Sequence, residues 1–379
     1  MDGAINPTPK RADQPVSDRS AANAGAWRAL DASANRAGEA VRVIEDTLRF
    51  LLDDPFLTQV AKDLRHDLAA ILMQGDLRLR IALRDVTGDV GAGSRAAAAL
   101  GRTTPSDLLA ANAARAAQAL RSLEECAALI APETTGAFER IRYRLYTLER
   151  AAVGAARAAD RLAGIRLCVL VDGREDEAQF STLVESLFAA GVRMIQLRDK
   201  TLPVPLLVGR SRAALTIARR HAHQRGERPL VLVNDRADVA AAVNADGVHT
   251  GTDDLPMPLV RRVVGPQALC GRTAHSLREA EAAVLEGADY LGIGPCFPTA
   301  TKRFSAFAAP EFLRGVAGTI GLPAFAIGGI TLERLPELTM LGIRRVAVAS
   351  AVTRAADPAA AAAAFIEQLT RLEARAPHP

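Results

Sequence analysis

The stretch VRMIQLRDK, residues Val192–Lys200, is an apolar run that ends in polar and cationic side chains. Gln196, Arg198 and Lys200 alternate along it, so in a β-strand their side chains point to the same side of the sheet. Burying an amide, a guanidinium and an ammonium group without partners is costly. The strand therefore either meets carboxylates or binds an anionic ligand. An edge strand with a solvated basic face is the alternative that needs no ligand.

Short apolar runs of this kind alternate with helical stretches from Arg166 onward. There are eight of them: LCVLVDG, VRMIQLRDK, PLVLVND, ADGVHTG, ALCGRTAH, DYLGIGP, PAFAIGGI and RRVAVASAV. Strands this apolar are expected when both faces of a parallel sheet are covered. Eight βα units over about 215 residues match the size and rhythm of a (β/α)8 TIM barrel. An open, doubly wound α/β sheet is the alternative fold.

The first half of the chain shows helical periodicity instead. From Trp27 to Leu51, apolar residues recur at spacings of three and four, which predicts an amphipathic helix. A second helix is predicted from Pro55 to about Met73, and two more open at Ser106 and near Pro132. The predicted organisation is a disordered tail over residues 1–20, an all-helical domain over 21–160, the barrel over 166–373 and a tail over 374–379.

The helical half contains an internal similarity. Residues 36–46, RAGEAVRVIED, align without gaps with residues 115–125, RAAQALRSLEE, and Leu64-Arg65 align with Tyr143-Arg144. This match predicts a duplicated helical hairpin. Candidate phosphate ligands are the aligned arginines and a glycine-rich loop, namely Arg36, Arg42, Arg115, Arg121 and Gly88–Gly93. In the alternative interpretation, the loop is an ordinary connector and the arginines form surface ion pairs on a helical scaffold that mediates oligomerisation.

Composition narrows the class of protein. The 379 residues are 49% hydrophobic and 24% charged, and the formal net charge is +4, an excess too small to argue for a nucleic-acid or membrane partner. No apolar run approaches the ~20 residues of a membrane span, and no signal-peptide pattern opens the chain. The four cysteines show no paired or metal-binding spacing, so reduced thiols are expected. We expect a cytoplasmic enzyme with small-molecule substrates, and the sequence allows a homo-oligomer.

Polar residues cluster at the predicted carboxyl ends of the strands, where barrel enzymes place their active sites. Asp235 and Asp254 could share a Mg²⁺ ion, which typically takes one or two carboxylates plus phosphate oxygens. Arg198, Lys200 and Lys302 add positive charge for a diphosphate. Gly328-Gly329 and Ser350 follow strands seven and eight, where barrels commonly bind a phosphate monoester. Two anionic groups are therefore expected, although each residue alone could be a turn or capping residue.

The motifs QLRDK, VNDR, ADGVHTGTDD, GRTAHS, GPCFPTATK, AIGGI and VASA, in this order, closely resemble those of the thiamine-phosphate synthase family over Arg166–Leu372. The resemblance implies a transferase that joins hydroxymethylpyrimidine diphosphate to a (carboxy)methylthiazole phosphate and releases diphosphate. Two positions depart from the family pattern, because Thr252 stands where glutamine is usual and Thr273 where serine is common.

Site residues follow from the same resemblance. It implies that Gln196 and His249 contact the pyrimidine, and that Asp235 and Asp254 hold Mg²⁺. It assigns the diphosphate contacts to Arg198, Lys200, Asn234, Thr273 and Lys302, of which Lys302, Arg198 and Lys200 are the catalytic cations. It assigns the thiazole-phosphate contacts to Thr299, Thr301, Gly329 and Ser350.

The N-terminal half, Ala21–Arg157, resembles a small helical domain found joined to such synthases. That resemblance implies phosphorylation of hydroxymethylpyrimidine phosphate, the step before the synthase reaction. Two alternatives stay open for the barrel. A thiazole tautomerase shares the fold but would not need the metal and diphosphate residues, and a ligand-sensing barrel would bind without turnover.

Overall fold

The computed structural model describes residues 16–84, 101–298 and 307–375. The chain forms two compact units. The helical unit falls within residues 1–44, 61–103 and 110–146, and the barrel unit within 45–60, 104–109 and 147–379. None of the helices in the described ranges is long and apolar enough to cross a membrane.

Four long helices occupy the N-terminal half, as predicted. They are α1 (Val16–Phe50), α2 (Pro55–Leu72), α3 (Pro105–Ile130) and α4 (Thr135–Arg161), with 3-10 turns at Gly75–Leu83 and Pro132–Thr134. Helix α1 begins inside the predicted tail, because the Ser- and Ala-containing residues before Trp27 can extend a helix that is already packed further along. Leu51, predicted as part of the helix, lies beyond its end and is exposed.

The internal similarity extends to burial on α1 and α3. Seven apolar positions of α1 are buried, and so is each residue 79 positions later on α3; the pairs are Leu30 and Leu109, Ala34 and Ala113, Ala37 and Ala116, Ala40 and Ala119, Val41 and Leu120, Ile44 and Leu123, and Leu48 and Ala127. The match fails on the following helices, where Leu64 is fully buried but Tyr143 is 58% exposed. Aligned positions are therefore buried in both α1 and α3, whereas aligned positions of α2 and α4 differ in burial.

Eight parallel strands close into a barrel in sequence order. They are β1 (Leu167–Val171), β2 (Met194–Leu197), β3 (Leu230–Asn234), β4 (Gly247–Thr250), β5 (Leu269–Ala274), β6 (Tyr290–Ile293), β7 (Ala324–Ile327) and β8 (Arg345–Val348). The prediction of a barrel is confirmed, and the open sheet is wrong because β1 pairs with β8.

Helices cover the outside of the barrel. They are α5 (Glu177–Ala189), α6 (Val204–Arg225), α7 (Ala237–Val243), α8 (Met257–Val264), α9 (Leu277–Glu286), α10 (Pro310–Thr319), α11 (Leu335–Met340), α12 (Ser350–Thr353) and α13 (Pro358–Arg375). The interior is filled by side chains such as Met194, Leu232, Leu269, Tyr290 and Phe325. All four cysteines are free thiols, as predicted.

Buried carboxylates organise the amino-terminal ends of the strands. Asp289 is completely buried, accepts a hydrogen bond from the Cys270 backbone N–H at 2.7 Å and pairs with Arg261 at 2.5 Å. Asp246 similarly accepts from the Val231 backbone N–H at 2.9 Å. These contacts satisfy backbone groups that would be costly to bury unpaired. The contacts at the amino-terminal ends of the strands thus contribute to folding stability. The candidate active site is expected at the carboxyl ends.

Candidate active site

The carboxyl ends of strands β2 to β7 surround a cavity of about 250 Å³. Strand pairing explains the convergence, since Asn234 on β3 lies opposite His249 on β4. The predicted residues that line the cavity are Gln196, Arg198, Lys200, Asn234, Asp235, His249, Asp254 and Thr273, joined by His275 and Gly328. The sequence pattern therefore selected side chains that one cavity brings together.

Five predicted residues are not part of this lining as described. Thr299, Thr301 and Lys302 lie outside the described residues. Ser350 is exposed and begins α12, and it does not line the cavity. Gly329 does not line it either. Its positive φ of 61° and its close approach to the carbonyl of Phe297 require glycine there, so this residue joins the loops after β6 and β7.

Two carboxylates and an ammonium group form the charged centre of the cavity. The carboxylates of Asp235 and Asp254 are neighbours in the cavity, and Lys200 Nζ lies 3.1 Å from Asp235 Oδ2. Burial, and then the neighbouring Asp254, raise the pKa of Asp235 above its usual value, while Lys200 opposes the shift. Two adjacent carboxylates attract a cation, and Lys200 supplies only one positive charge.

The donor set fits a hard divalent cation. Asp235 and Asp254 offer carboxylate oxygens, and the described residues contain no cluster of three or more His, Cys, Asp or Glu side chains that would complete a site without substrate. Mg²⁺ typically binds through one or two carboxylates and completes its shell with water and substrate phosphate oxygens. The pair is therefore suited to Mg²⁺ held together with a phosphorylated substrate.

A chain of neutral hydrogen bonds forms the floor of the cavity. The Gln196 side chain lies beside Tyr290, whose hydroxyl lies 3.1 Å from His249 Nδ1, and His249 Nε2 lies 3.0 Å from Thr273 Oγ1. Burial lowers the pKa of His249 to about 4, and burial also raises the pKa of Tyr290 well above its usual value. All four side chains are therefore uncharged at neutral pH and can present donors and acceptors to a neutral ring.

Two glycines make room for this chain. A side chain at Gly271 would collide with the Tyr290 ring and with His249, and a Cβ at Gly292 would lie 2.9 Å from His249 Cε1. Strand positions without a side chain let the imidazole and phenol rings lie inside the barrel at this level. The sequence analysis did not identify Tyr290, because its role depends on the register between β4, β5 and β6.

Arg272 is a second residue that the sequence analysis missed. It alternates with Thr273 on β5, and its guanidinium donates to the backbone carbonyls of Thr252 and Leu255 at 3.2 and 3.1 Å. Asp254 lies between these two carbonyls, and it accepts from the Gly251 N–H at 2.7 Å. Arg272 thus fixes the loop that presents the Asp254 carboxylate. Thr252 accepts the hydrogen bond from Arg272 through its backbone carbonyl. The presence of threonine where the family usually has glutamine therefore leaves this contact intact.

The arginines predicted in the helical unit divide into two groups. Arg36 and Arg115 line one cavity of about 560 Å³. Arg121 instead pairs with Glu124 at 2.9 Å and Glu125 at 2.5 Å and lines a second cavity of about 810 Å³. Arg42 lines neither of these two cavities. The loop Gly88–Gly93 lies outside the described residues.

Comparison with known proteins gives matches for both halves of the chain. A family model described as thiamine monophosphate synthase matches residues 167–352, and the ThiD2 family model matches residues 28–151. A thiamine-phosphate synthase of Rhodopirellula baltica is 39% identical over 335 residues, covering 86% of this chain and 88% of the relative. One from Gloeobacter violaceus is 38% identical over 344 residues, covering 91% and 97%. The solved structure of a thiamine phosphate pyrophosphorylase from Pyrococcus furiosus aligns with a TM-score of 0.47 and 29% identity, covering 55% of this chain and 97% of that one.

Proposed function

This chain belongs to the thiamine-phosphate synthase family, and from that premise we propose that its barrel joins hydroxymethylpyrimidine diphosphate to a (carboxy)methylthiazole phosphate and releases diphosphate. The chain is a transferase with small-molecule substrates. The observation that carries the proposed reaction is the grouping of Asp235, Asp254, Lys200 and Arg198 around one cavity.

The charges of this cavity suit departure of a diphosphate. An aminopyrimidine is electron-rich, so it can stabilise the methyl cation left when the C–O bond to diphosphate breaks. The enzyme must then chiefly neutralise negative charge on the leaving group. Arg198 and Lys200 supply cations at the cavity, and cations act most strongly where charge develops in the transition state. Bound between Asp235 and Asp254, Mg²⁺ would supply further charge neutralisation for the same phosphate oxygens.

The uncharged residues suit the pyrimidine. Gln196, His249 and Thr273 present hydrogen-bonding groups without charge, which match the ring nitrogens and amino group of an aminopyrimidine. Placing the thiazole nitrogen against the cationic carbon forms the new C–N bond. Orientation of two bound substrates contributes to the rate at this step. No side chain of the cavity needs to form a covalent bond with substrate.

Two other functions for the barrel make different demands. A thiazole tautomerase needs no diphosphate to leave, so it gives no reason for two carboxylates beside Lys200 and Arg198. A ligand-sensing barrel predicts tight binding without turnover. Supplying both phosphorylated substrates with Mg²⁺ and measuring thiamine phosphate and diphosphate distinguishes the synthase from both alternatives, because only the synthase forms the two products in equal amounts.

For the helical half, we propose phosphorylation of hydroxymethylpyrimidine phosphate by a nucleoside triphosphate. A phosphate oxygen of the monophosphate would take the terminal phosphoryl group, giving the pyrimidine diphosphate and a nucleoside diphosphate. The match to the ThiD2 family and the arginine-lined cavity support this proposal. The product would then be the substrate of the barrel.

The kinase proposal is best tested in the full chain with a silent barrel. An Asp235→Ala variant given the pyrimidine monophosphate, ATP, Mg²⁺ and the thiazole phosphate should accumulate the pyrimidine diphosphate, because the silent barrel no longer couples it to the thiazole. Chromatographic detection of that product supports the proposal. Its absence, in a protein with unchanged circular dichroism, would mean that the helical half is a scaffold.

A further inference from the structure

The cavity between α1 and α3 has an unusual composition. Five residues of α1 line it, and each has a counterpart exactly 79 positions later on α3 that lines it too. The pairs are Ser33 and Asn112, Arg36 and Arg115, Glu39 and Gln118, Ala40 and Ala119, and Val43 and Ser122. The same spacing relates the seven buried apolar positions of the two helices.

This composition places the cavity on an approximate twofold axis. Equivalent residues of two copies can meet at one place only where the axis that relates the copies passes between them, as in a twofold-symmetric dimer. The cavity therefore occurs once in the helical unit, not once per repeat. It would hold a single ligand per chain.

Two of the five pairs have the same residue on both helices, and one of these is the arginine pair. Neither Arg36 nor Arg115 has a hydrogen bond or ion pair to any side chain within the ranges that the structure describes. Arg121 and Arg142, in contrast, both pair with the buried Glu124, at 2.9 and 2.5 Å. The two guanidinium groups share the cavity with one carboxylate, Glu39, with which neither forms an ion pair, so the described lining keeps a net positive charge. Such a site attracts an anion, and guanidinium geometry matches phosphate oxygens.

The other pairs break the symmetry. Ser33 corresponds to Asn112, Glu39 to Gln118 and Val43 to Ser122, so the two halves of the lining carry different hydrogen-bonding groups. Ser33 and Asn112 are also almost completely buried. A ligand with a symmetric anionic end and an asymmetric polar ring fits such a site, because the arginines bind the former and the unlike pairs give the latter one orientation.

We propose that this cavity binds one phosphate monoester of a small polar heterocycle per chain, with its phosphate between Arg36 and Arg115. The identity of the ligand rests on the proposed kinase function, for which it is the phosphoryl acceptor. An adjoining cavity of about 810 Å³ shares Ser33, Arg36 and Ser122 and adds Arg84 and Arg121, so a nucleotide has room beside the acceptor. Arg36 borders both cavities and is placed to contact the phosphates on either side of the transfer.

Hydrogen exchange of the full chain with hydroxymethylpyrimidine phosphate tests the position of the site. Saturating ligand without nucleotide should slow exchange in peptides covering residues 33–43 and 112–122. Isothermal titration should show that Arg36→Gln combined with Arg115→Gln weakens this binding by about tenfold or more, because the change removes both cations that would form charge-assisted hydrogen bonds with the phosphate. The matched control is Arg65→Gln combined with Arg144→Gln, two arginines of α2 and α4 that line neither cavity.

The possible outcomes separate the site from the activity. Protection of both helices that is lost in the cavity variant but kept in the control supports the proposal. Protection confined to barrel peptides, or full kinase turnover in the cavity variant, would overturn it while leaving the kinase proposal standing. Protection of both helices without any turnover would keep the site and remove the kinase.

Discussion

The Nζ atom of Lys200, in the segment after β2, lies 3.1 Å from Oδ2 of Asp235, in the segment after β3. The lysine side chain is 62% exposed, so this ion pair contributes little to folding stability. The ion pair instead sets the position of the lysine ammonium group, because it holds this cation beside the two carboxylates at the mouth of the cavity. In the proposed reaction, these charges act together on the departing diphosphate.

Replacing either carboxylate should abolish most turnover. We expect Asp235→Ala or Asp254→Ala to lower kcat about a hundredfold or more, because each removes a proposed Mg²⁺ ligand beside the leaving group. Rates measured over a range of Mg²⁺ concentrations check this expectation. Asp238→Ala is the control, since that carboxylate pairs on the surface with Arg236. Near-normal rates of either site variant at limiting Mg²⁺ would show that the metal site is misplaced.

Lys302 and Ser350 should differ in which kinetic constant they control. Lys302→Ala should lower kcat, because this cation is proposed to oppose charge that grows on the departing diphosphate. Ser350→Ala should mainly raise the KM for the thiazole phosphate, which the hydroxyl is proposed to hold in both the ground and transition states. Steady-state kinetics at saturating and limiting thiazole phosphate separate the two effects. Equal losses of kcat would refute this division of roles.

Tyr290 should make folding stability depend on alkaline pH. Burial raises the pKa of Tyr290 in the folded state, so above pH ~10 the unfolded chain loses a proton that the folded chain keeps, and stability falls as pH rises. Tyr290→Phe should cost about 1 kcal/mol near neutrality through its lost hydrogen bond to His249 and should lack this alkaline contribution. Denaturant unfolding from neutral pH to about pH 11 measures the difference. Parallel pH profiles of the two proteins would contradict the assignment.

Asp289 should affect stability without affecting chemistry. Asp289→Ala leaves Arg261 and the Cys270 N–H without their buried partner, which should lower the free energy of unfolding by about 3 kcal/mol. Because Asp289 precedes β6, at the end of the barrel opposite the cavity, kcat should stay unchanged at temperatures where the variant is folded. Thermal unfolding and kinetics check both parts, with the exposed Glu311→Ala as control. A large loss of kcat in the folded variant would show coupling between the two ends.

The sequence predicted the barrel because eight short apolar runs alternate with helical stretches, and most of these runs are followed by polar residues. Asn234 and His249 illustrate why the site followed, since strand ends of a closed parallel barrel must converge. Tyr290 and Arg272 were missed because their roles depend on contacts across strands. In the sequence Tyr290 looks like a core residue, whereas in the structure its hydroxyl lies beside His249. In the sequence Arg272 is only a cation, whereas in the structure it binds backbone carbonyls.

In the helical half, periodicity predicted the helices but not which arginines are available. Arg36, Arg115 and Arg121 look equivalent in the sequence, yet Arg121 lies within reach of Glu124 and Glu125 while the other two line a shared cavity. The aligned Tyr143 also fails to follow Leu64 into the core. Repeats of sequence specify equivalent positions only where both copies pack against equivalent surroundings.

The most direct test of the central claim is product formation by the purified full chain from hydroxymethylpyrimidine diphosphate and the thiazole phosphate with Mg²⁺. The account predicts thiamine phosphate and diphosphate in equal amounts, and loss of both products in Asp254→Ala. Binding of both substrates without release of diphosphate would contradict it, because the charges around Asp235 and Lys200 would then hold a ligand rather than promote its departure.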